Sequence, residues 1–299
     1  MKRACFALDI GGTKIAAALI DEAGTVLAST RHPTPAAEGG AAVLAQMAAC
    51  LDELAVPASK HELVGIGISA AGVIDPARAI VVDATDAIRD WKGQDFRAYF
   101  GALHALPVWA GNDVTCALLG ELWRNPALAD ATGTVAMLTL GTGLGGAIAH
   151  KGELLQGRHH LAGHFGRTIV WTPEAGLVPV ETMVSGSGLL YLYRRRHGED
   201  AYDGATVMAL AHKGDAIAMG ALEAWIGHLA VQLHNLHWSL DPDVVLLGGG
   251  VVDSRALWWD ALERRIAAMN VPVTIAPATL GNRAGLVGAA KLVWNGSAA

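Results

Sequence analysis

Asp9 and Lys14 flank a glycine turn in Ala7-Leu8-Asp9-Ile10-Gly11-Gly12-Thr13-Lys14, and a similar turn occurs in Leu138-Thr139-Leu140-Gly141-Thr142-Gly143-Leu144-Gly145-Gly146. A turn built from Gly and Thr leaves successive backbone N–H groups uncovered, with a hydroxyl as an extra donor, and so makes a concave anion site. Two such turns can hold a polyphosphate from both sides. Asp9 suits Mg²⁺, through water, because a hard dication takes oxygen ligands and shares them with phosphates. Lys14 is the natural counter-charge to phosphate. No Gly-x-x-x-x-Gly-Lys-Ser/Thr occurs, and no helix pattern follows the first turn as a Gly-x-Gly-x-x-Gly fingerprint requires. Two ordinary hairpins would use the same residues; the acid and base of the first turn favour phosphate.

Phosphoryl transfer to a hydroxyl also needs a carboxylate to accept the proton. Asp113 is the candidate. It follows the apolar stretch Leu106-Pro107-Val108-Trp109-Ala110 and precedes a predicted helix, Val114 to Leu122, whose N-terminal dipole favours an ionised acid. Asn112 beside it can hydrogen-bond a substrate hydroxyl. Asn-Asp usually caps a helix, so the local sequence alone favours capping, with which catalysis is compatible.

The elements that must position these groups read as strand-turn-strand-turn-strand, helix, strand, and the order occurs twice. In the first copy, strands between Arg3 and Ser29 break at Gly11-Gly12 and Glu22-Ala23-Gly24. A helix follows from about Gly40 to Leu54, with Val43, Leu44, Met47, Ala48 and Leu51 at helical spacing, and then a buried strand, Leu63 to Ile68. The second copy starts at Thr134 and ends on Val244-Val245-Leu246-Leu247, after a long helix from about Ala216 to Leu240. A duplicated α/β unit predicts two similar lobes with a cleft, and ligands of open α/β sheets sit beyond the carboxyl ends of strands. Gly11-Gly12, Gly72, Asn112-Asp113, Gly141 to Gly146 and Gly248-Gly249-Gly250 all follow apolar runs.

The chain has 299 residues, 52% hydrophobic and 17% charged, enough for one large or two medium globular domains. A net charge of −6 without a basic run argues against a nucleic-acid partner. Three scattered cysteines, Cys5, Cys50 and Cys116, argue against a disulfide framework and for a reducing, cytoplasmic setting. The apolar start runs into Asp9 and reads as a first strand rather than a signal peptide. No uninterrupted apolar run approaches the roughly 20 residues of a membrane helix, so no membrane partner is expected.

In this order the pieces resemble the ROK family of repressors, open reading frames and sugar kinases. The resemblance rests on Asp9 to Lys14, Ala71-Gly72-Val73-Ile74-Asp75, Gly111-Asn112-Asp113 leading into Ala117 and Glu121, Leu140 to Gly146, Leu247 to Gly250, and Gly285-Leu286-Val287-Gly288-Ala289-Ala290. It implies a two-lobed actin-like (ribonuclease H-like) ATPase fold with duplicated βββαβα units. The expected small lobe is residues 1–118, joined by the C-terminal helix 286–299, and the expected large lobe is 119–285. The family's regulators carry a DNA-binding domain before the first phosphate turn; here that turn begins at residue 9, which favours the sugar-kinase branch. The resemblance implies ATP-dependent phosphorylation of a sugar or sugar-like polyol, with Asp113 as base. Gly11, Gly12, Thr13, Lys14, Gly141, Thr142, Gly143, Gly248 and Gly249 would hold Mg-ATP, and Gly72, Asn112, His164, Arg167 and Glu181 would contact the sugar. A homodimer through helices of the larger lobe is also implied.

The chain departs from the family where the sugar is gripped. The family's Ala-Gly-Glu-x-Gly-His is here Ala162-Gly163-His164-Phe165-Gly166-Arg167, and the following stretch to Val180 contains no cysteine. A structural zinc site takes about four N or S ligands, so no zinc is expected. Ala87 stands where the family has Asn before Trp91, with Asp86 adjacent as a possible acceptor. Replacing a carboxylate by His and an imidazole by Arg reverses hydrogen-bond polarity around the sugar, leaving Arg167 to meet an acidic substrate group or to pair with Glu181. His159, His160 and His164 lack helical ligand spacing and make only a weak metal motif. The altered grip also admits a non-catalytic sugar or nucleotide sensor, and the turns alone do not separate ATP from polyphosphate. Trp225, Trp238, Trp258 and Trp259 fall on helical stretches and read as core or interface.

Overall fold

The computed structural model describes residues 1–173 and 175–297. It divides into two compact units: Met1–Ala129 with Gly157–Leu161 and the segment from Asn282 on, and Asp130–Gln156 with Ala162–Gly281.

The first unit contains β1 (Lys2–Ile10), β2 (Lys14–Asp21), β3 (Val26–Pro33), α1 (Gly40–Glu53), α2 (Ala55–Ala58), β4 (His61–Ala70), β5 (Val73–Asp75), β6 (Ile80–Asp83), α3 (Phe96–His104), β7 (Val108–Asn112) and α4 (Asp113–Arg124). Its five-stranded sheet has the order β3-β2-β1-β4-β7. The hairpin strands are antiparallel, whereas β4 and β7 join in parallel. Strands covered on both faces read as continuous apolar runs, and Ala4 to Leu8 are accordingly all buried. One face packs Phe6, Leu8 and Ile10 against Val43, Met47, Leu51, Trp91 and Phe96.

The second unit repeats the plan with β8 (Thr134–Leu140), β9 (Leu144–His150), β10 (Glu153–Leu154), β11 (Ile169–Thr172), β12 (Gly176–Pro179), α5 (Gly186–Arg195), α6 (Gly204–His212), α7 (Ala216–Leu240), β13 (Val244–Gly248), α8 (Trp259–Ala268) and β14 (Ile275–Pro277). Its sheet order, β10-β9-β8-β13-β14, repeats the first: a three-stranded meander followed by parallel strands. The expected duplication is therefore present. The chain ends in α9 (Ala284–Ser297), which covers the other face of the first sheet through Leu286, Ala289, Ala290 and Val293.

The expected division at 118/119 falls inside α4, which stays whole in the first unit. The cause is the crossing of α4 and α9: a Cβ on Gly288 would lie 1.7 Å from the Cys116 carbonyl oxygen, so only glycine allows the approach. Residues 157–161, assigned to the larger lobe on sequence, also belong to the first unit. By length and composition α7 could cross a membrane, unlike the apolar runs anticipated, but half of its most apolar window is buried inside the protein. Trp225 and Trp258 are core residues of the second unit, whereas Trp238 is 70% exposed. The stretch after Arg167 forms the β11–β12 hairpin; Val170 and Val178 pack on the core and Thr172 is buried, while Ile169, Trp171 and Leu177 face outward.

Candidate active site

In the first unit, the β1–β2 turn is closed by Gly11 N–H donating to Lys14 O (3.0 Å) and braced by Thr34 Oγ1 donating to Gly11 O (2.8 Å). Lys14 Nζ reaches Asn282 Oδ1 at 3.5 Å. A Cβ on Gly11 would find nothing nearer than Lys14 O at 3.8 Å, so the space above the turn is open. One on Gly12 would meet Ala87 Cβ at 3.5 Å, which brings the Asp86-Ala87 loop beside the β1–β2 turn. Asp9, at the end of β1, accepts from the buried Ser69 hydroxyl of β4 at 2.6 Å. Burial raises its pKa above the ordinary carboxylate value, with Ser69 and then Lys14 opposing. Gly285 of α9 is packed against this carboxylate: a Cβ there would lie 2.4 Å from Asp9 Oδ1.

Asn112 and Asp113, at the β7–α4 junction, take separate parts. Asn112 is the N-cap: Oδ1 accepts from Val114 N (2.9 Å) and Thr115 N (3.2 Å). Its Nδ2 donates to Gly72 O (2.8 Å) and to Asp113 Oδ1 (2.7 Å), so all four of its hydrogen-bonding positions are used within the protein. Gly72, at φ 104°, has no room for a Cβ beside Asp83 O, and Trp91 Nε1 holds the preceding Ala71 carbonyl at 2.9 Å. Asp113 Oδ1 also accepts from Val114 N at 3.0 Å. Burial, then the charge on Asp9, pushes the Asp113 carboxyl up to about 6 against the N–H bonds that lower it. The two acids also raise the buried Cys116 thiol, whose shift comes first from its own burial. Mg²⁺ bound mainly by water and phosphate oxygens needs one or two carboxylates rather than a protein cage. Asp9, at the end of β1, meets that requirement as a single carboxylate.

In the second unit, the β8–β9 turn is closed by Gly141 N–H to Gly143 O (3.0 Å) and tied to α5 by Gly186 N to Gly141 O (2.7 Å) and Ser187 N to Thr142 O (3.2 Å). Gly249, at φ 85°, lies against Leu140, where a Cβ would be 2.5 Å from its carbonyl oxygen; this sets Gly248 to Gly250 beside the turn. A cavity of about 480 Å³ opens here, lined by Gly141, Thr142, Ser187, Tyr202, Gly204 and Ser254 among others. Tyr202, Gly204 and Ser254 carry no sequence motif. His164 precedes and Arg167 ends the short helical turn Phe165–Arg167, which packs on β9 and on the turn that holds Glu181. Glu181 Oε2 accepts from Leu144 N at 3.0 Å. His160 Nε2 lies 3.9 Å from Asp75 Oδ1 in the first unit. Among the described residues no group of three or more His, Cys, Asp or Glu is arranged to hold a metal ion.

The sequence profile of the ROK family matches residues 5–295. The glucokinase of Streptomyces coelicolor is 31% identical, covering 95% of this chain and 96% of that protein. The beta-glucoside kinase of Klebsiella pneumoniae is 30% identical, covering 97% of this chain and 95% of that one. The crystal structure of a ROK family glucokinase from Streptomyces griseus in complex with glucose and AMPPNP is similar with a TM-score of 0.80 at 28% identity, covering 98% of this chain and 99% of that chain. With the profile spanning both units and both glycine turns, the chain belongs to the ROK family.

Proposed function

We propose that the protein is an ATP-dependent kinase that phosphorylates a hydroxyl of a sugar or sugar-like polyol, with Asp113 as general base. The glucokinase and beta-glucoside kinase relatives, and the AMPPNP-bound neighbour, support the reaction class. The observation that carries the residue assignment is the state of Asp113. A base works best with a pKa near the operating pH, and this carboxyl is held at about 6. The described hydrogen bonds to Asp113 from Asn112 and Val114 fall on Oδ1, which leaves Oδ2 to accept the sugar proton. Asn112 fixes that orientation; to touch the sugar as well it would have to exchange one of its internal bonds.

Asp9 is assigned to Mg²⁺ through water, and the bound ion would neutralise charge on the transferring phosphoryl group. Thr13, Lys14 and the Gly12 N–H take donor phosphates on the first unit, with Gly11 closing the turn and leaving the space above it open. Thr142 and the backbone of Gly143 and Gly248 do so on the second, with Gly141 and Gly249 setting the shape of the turn. The cavity lined by Tyr202, Gly204 and Ser254, beside the Gly141–Gly143 turn of the second unit, is assigned to the nucleoside. Gly72, His164, Arg167 and Glu181 belong to the acceptor side. We also infer a cytoplasmic protein, from its three unpaired buried thiols. A homodimer is inferred through helices of the second unit, among them α7, on which Val231 and Trp238 are exposed.

A coupled ADP-release assay across neutral hexoses, amino sugars, uronic acids and cyclitols, with ATP and polyphosphate as donors, tests this reading. Turnover of one class, lost in Asp113→Asn while nucleotide binding persists, is expected. The altered Ala162 to Arg167 motif favours a sensor as the second reading; binding without turnover by any acceptor would establish it.

A further inference from the structure

Glu181 is fixed at both ends within the second unit. Its carbonyl oxygen accepts from Ser185 Oγ (2.7 Å), and that hydroxyl caps α5 by accepting from Gly188 N (2.9 Å). Ser185 is itself held by the buried Trp225, whose Nε1 donates to the Ser185 carbonyl at 3.0 Å. The carboxylate of Glu181 crosses to the other side of the same small structure, where Oε2 accepts from Leu144 N at 3.0 Å. Leu144 is the first residue of β9, directly after the Gly141-Thr142-Gly143 turn. The same oxygen lies so close to the turn that a Cβ on Gly143 would be 2.6 Å from it.

A Gly-Thr-Gly turn has little side chain with which to hold itself, and glycine loses more conformational freedom on ordering than any other residue. Glu181 is exposed, so water screens its charge, and what restrains the turn is the hydrogen bond from Leu144 N–H to the side-chain oxygen. A carboxylate beside an anion site also repels the anion, so direct phosphate binding does not explain its place there. We propose that Glu181 is a positioning residue of the second phosphate turn: by holding Leu144 N–H it keeps the Gly141–Gly143 backbone ready for donor phosphate. Because the residue also belongs to the acceptor side, donor and acceptor affinities become linked through it, and such linkage is reciprocal. The inference rests on the kinase reading and adds to it a second task for one residue.

The test is AMPPNP binding by calorimetry, without sugar, on wild type, Glu181→Gln, Glu181→Asp and Glu181→Ala, with hydrogen exchange followed over residues 138–148. The Gln side chain still offers an oxygen to Leu144 N and removes the repelling charge, so it should bind AMPPNP at least as tightly as wild type. Ala removes the acceptor and Asp, one methylene shorter, withdraws it; both should weaken AMPPNP about tenfold, the weight of one such bond, and speed exchange at the Leu144 amide. Wild-type affinity and protection in both Ala and Asp variants would overturn the inference and leave the kinase reading intact. A tenfold loss in Gln would overturn it as well, and decides the matter alone should the shorter variants not fold. A wild-type protein that binds no AMPPNP overturns the kinase reading, and the inference with it.

Discussion

Asp113→Asn should make the protein more stable while abolishing phosphoryl transfer, and the gain should depend on pH in a calculable way. The Asp113 carboxyl rises from 3.8 to about 6 on folding, first through burial and then through the Asp9 charge. A carboxyl raised in the folded state binds its proton more tightly folded than unfolded, so its stabilising contribution is present below pH about 4 and is lost as pH rises through about 6. Two pKa units correspond to about 3 kcal/mol of stability forgone at neutral pH. Asn carries no charge at any pH, and its side-chain oxygen can still accept from Asn112 Nδ2 and Val114 N. Relative to wild type, the variant should therefore gain about 2 kcal/mol between pH about 4.5 and about 7.5 by the same linkage. Urea titrations of both proteins at the two pH values measure this directly. An advantage of equal size at both pH values, or one larger in acid, would show that Asp113 is not held above its ordinary value. Adding Asp9→Asn to both proteins should shrink the pH-dependent part, since one of its two causes is removed.

The same carboxyl should set an acid limb in the kcat/KM profile near pH 6; a profile flat down to pH about 5 would exclude it as the base. Ser254→Trp puts an indole into the 480 Å³ cavity and should weaken AMPPNP at least tenfold (~1.4 kcal/mol) with the melting temperature little changed; unaltered affinity would place the nucleoside elsewhere. Purified protein should contain no stoichiometric zinc and melt at the same temperature with or without a strong chelator, because Val170, Thr172 and Val178 hold the β11–β12 hairpin by packing instead; metal analysis finding one zinc per chain would contradict this.

The central strands of the two sheets were legible because they are buried on both faces: β1, β8 and β13 are apolar runs ended by a glycine, and β4 runs into Ala71-Gly72. The β5–β6 and β11–β12 hairpins were not. They have three and four paired positions and only partial alternation, too short a stretch for periodicity to register. The unit boundary was missed because α4 reads as an amphipathic helix whichever sheet it covers. Its allegiance is decided by Gly288 against Cys116, a contact between residues far apart in the chain. The cavity beside the second turn was invisible for the same reason, being assembled from segments near 141, 187, 204 and 251 with no common spacing. At Asn112-Asp113 the sequence offered capping or catalysis. The structure gives the N-cap to Asn112 and so frees Asp113 from that duty.

The glycines show most sharply what a sequence signal can and cannot carry. Gly249 and Gly72 are required by the fold, since each has a positive φ and no room for a Cβ, and Gly288 is required by close packing. Gly11 and Gly141 meet neither demand: their φ values are ordinary for any residue, and a Cβ on either would come no closer than 3.8 Å to the surrounding protein. The fold would accept alanine at both positions, so what their bareness preserves is open space at the turn. In one dimension the two kinds of glycine are indistinguishable, and Gly248-Gly249-Gly250 looks as much like a phosphate cradle as Gly141-Thr142-Gly143 does. Only the three-dimensional surroundings separate a glycine that lets two parts of the chain meet from one that leaves room for a ligand.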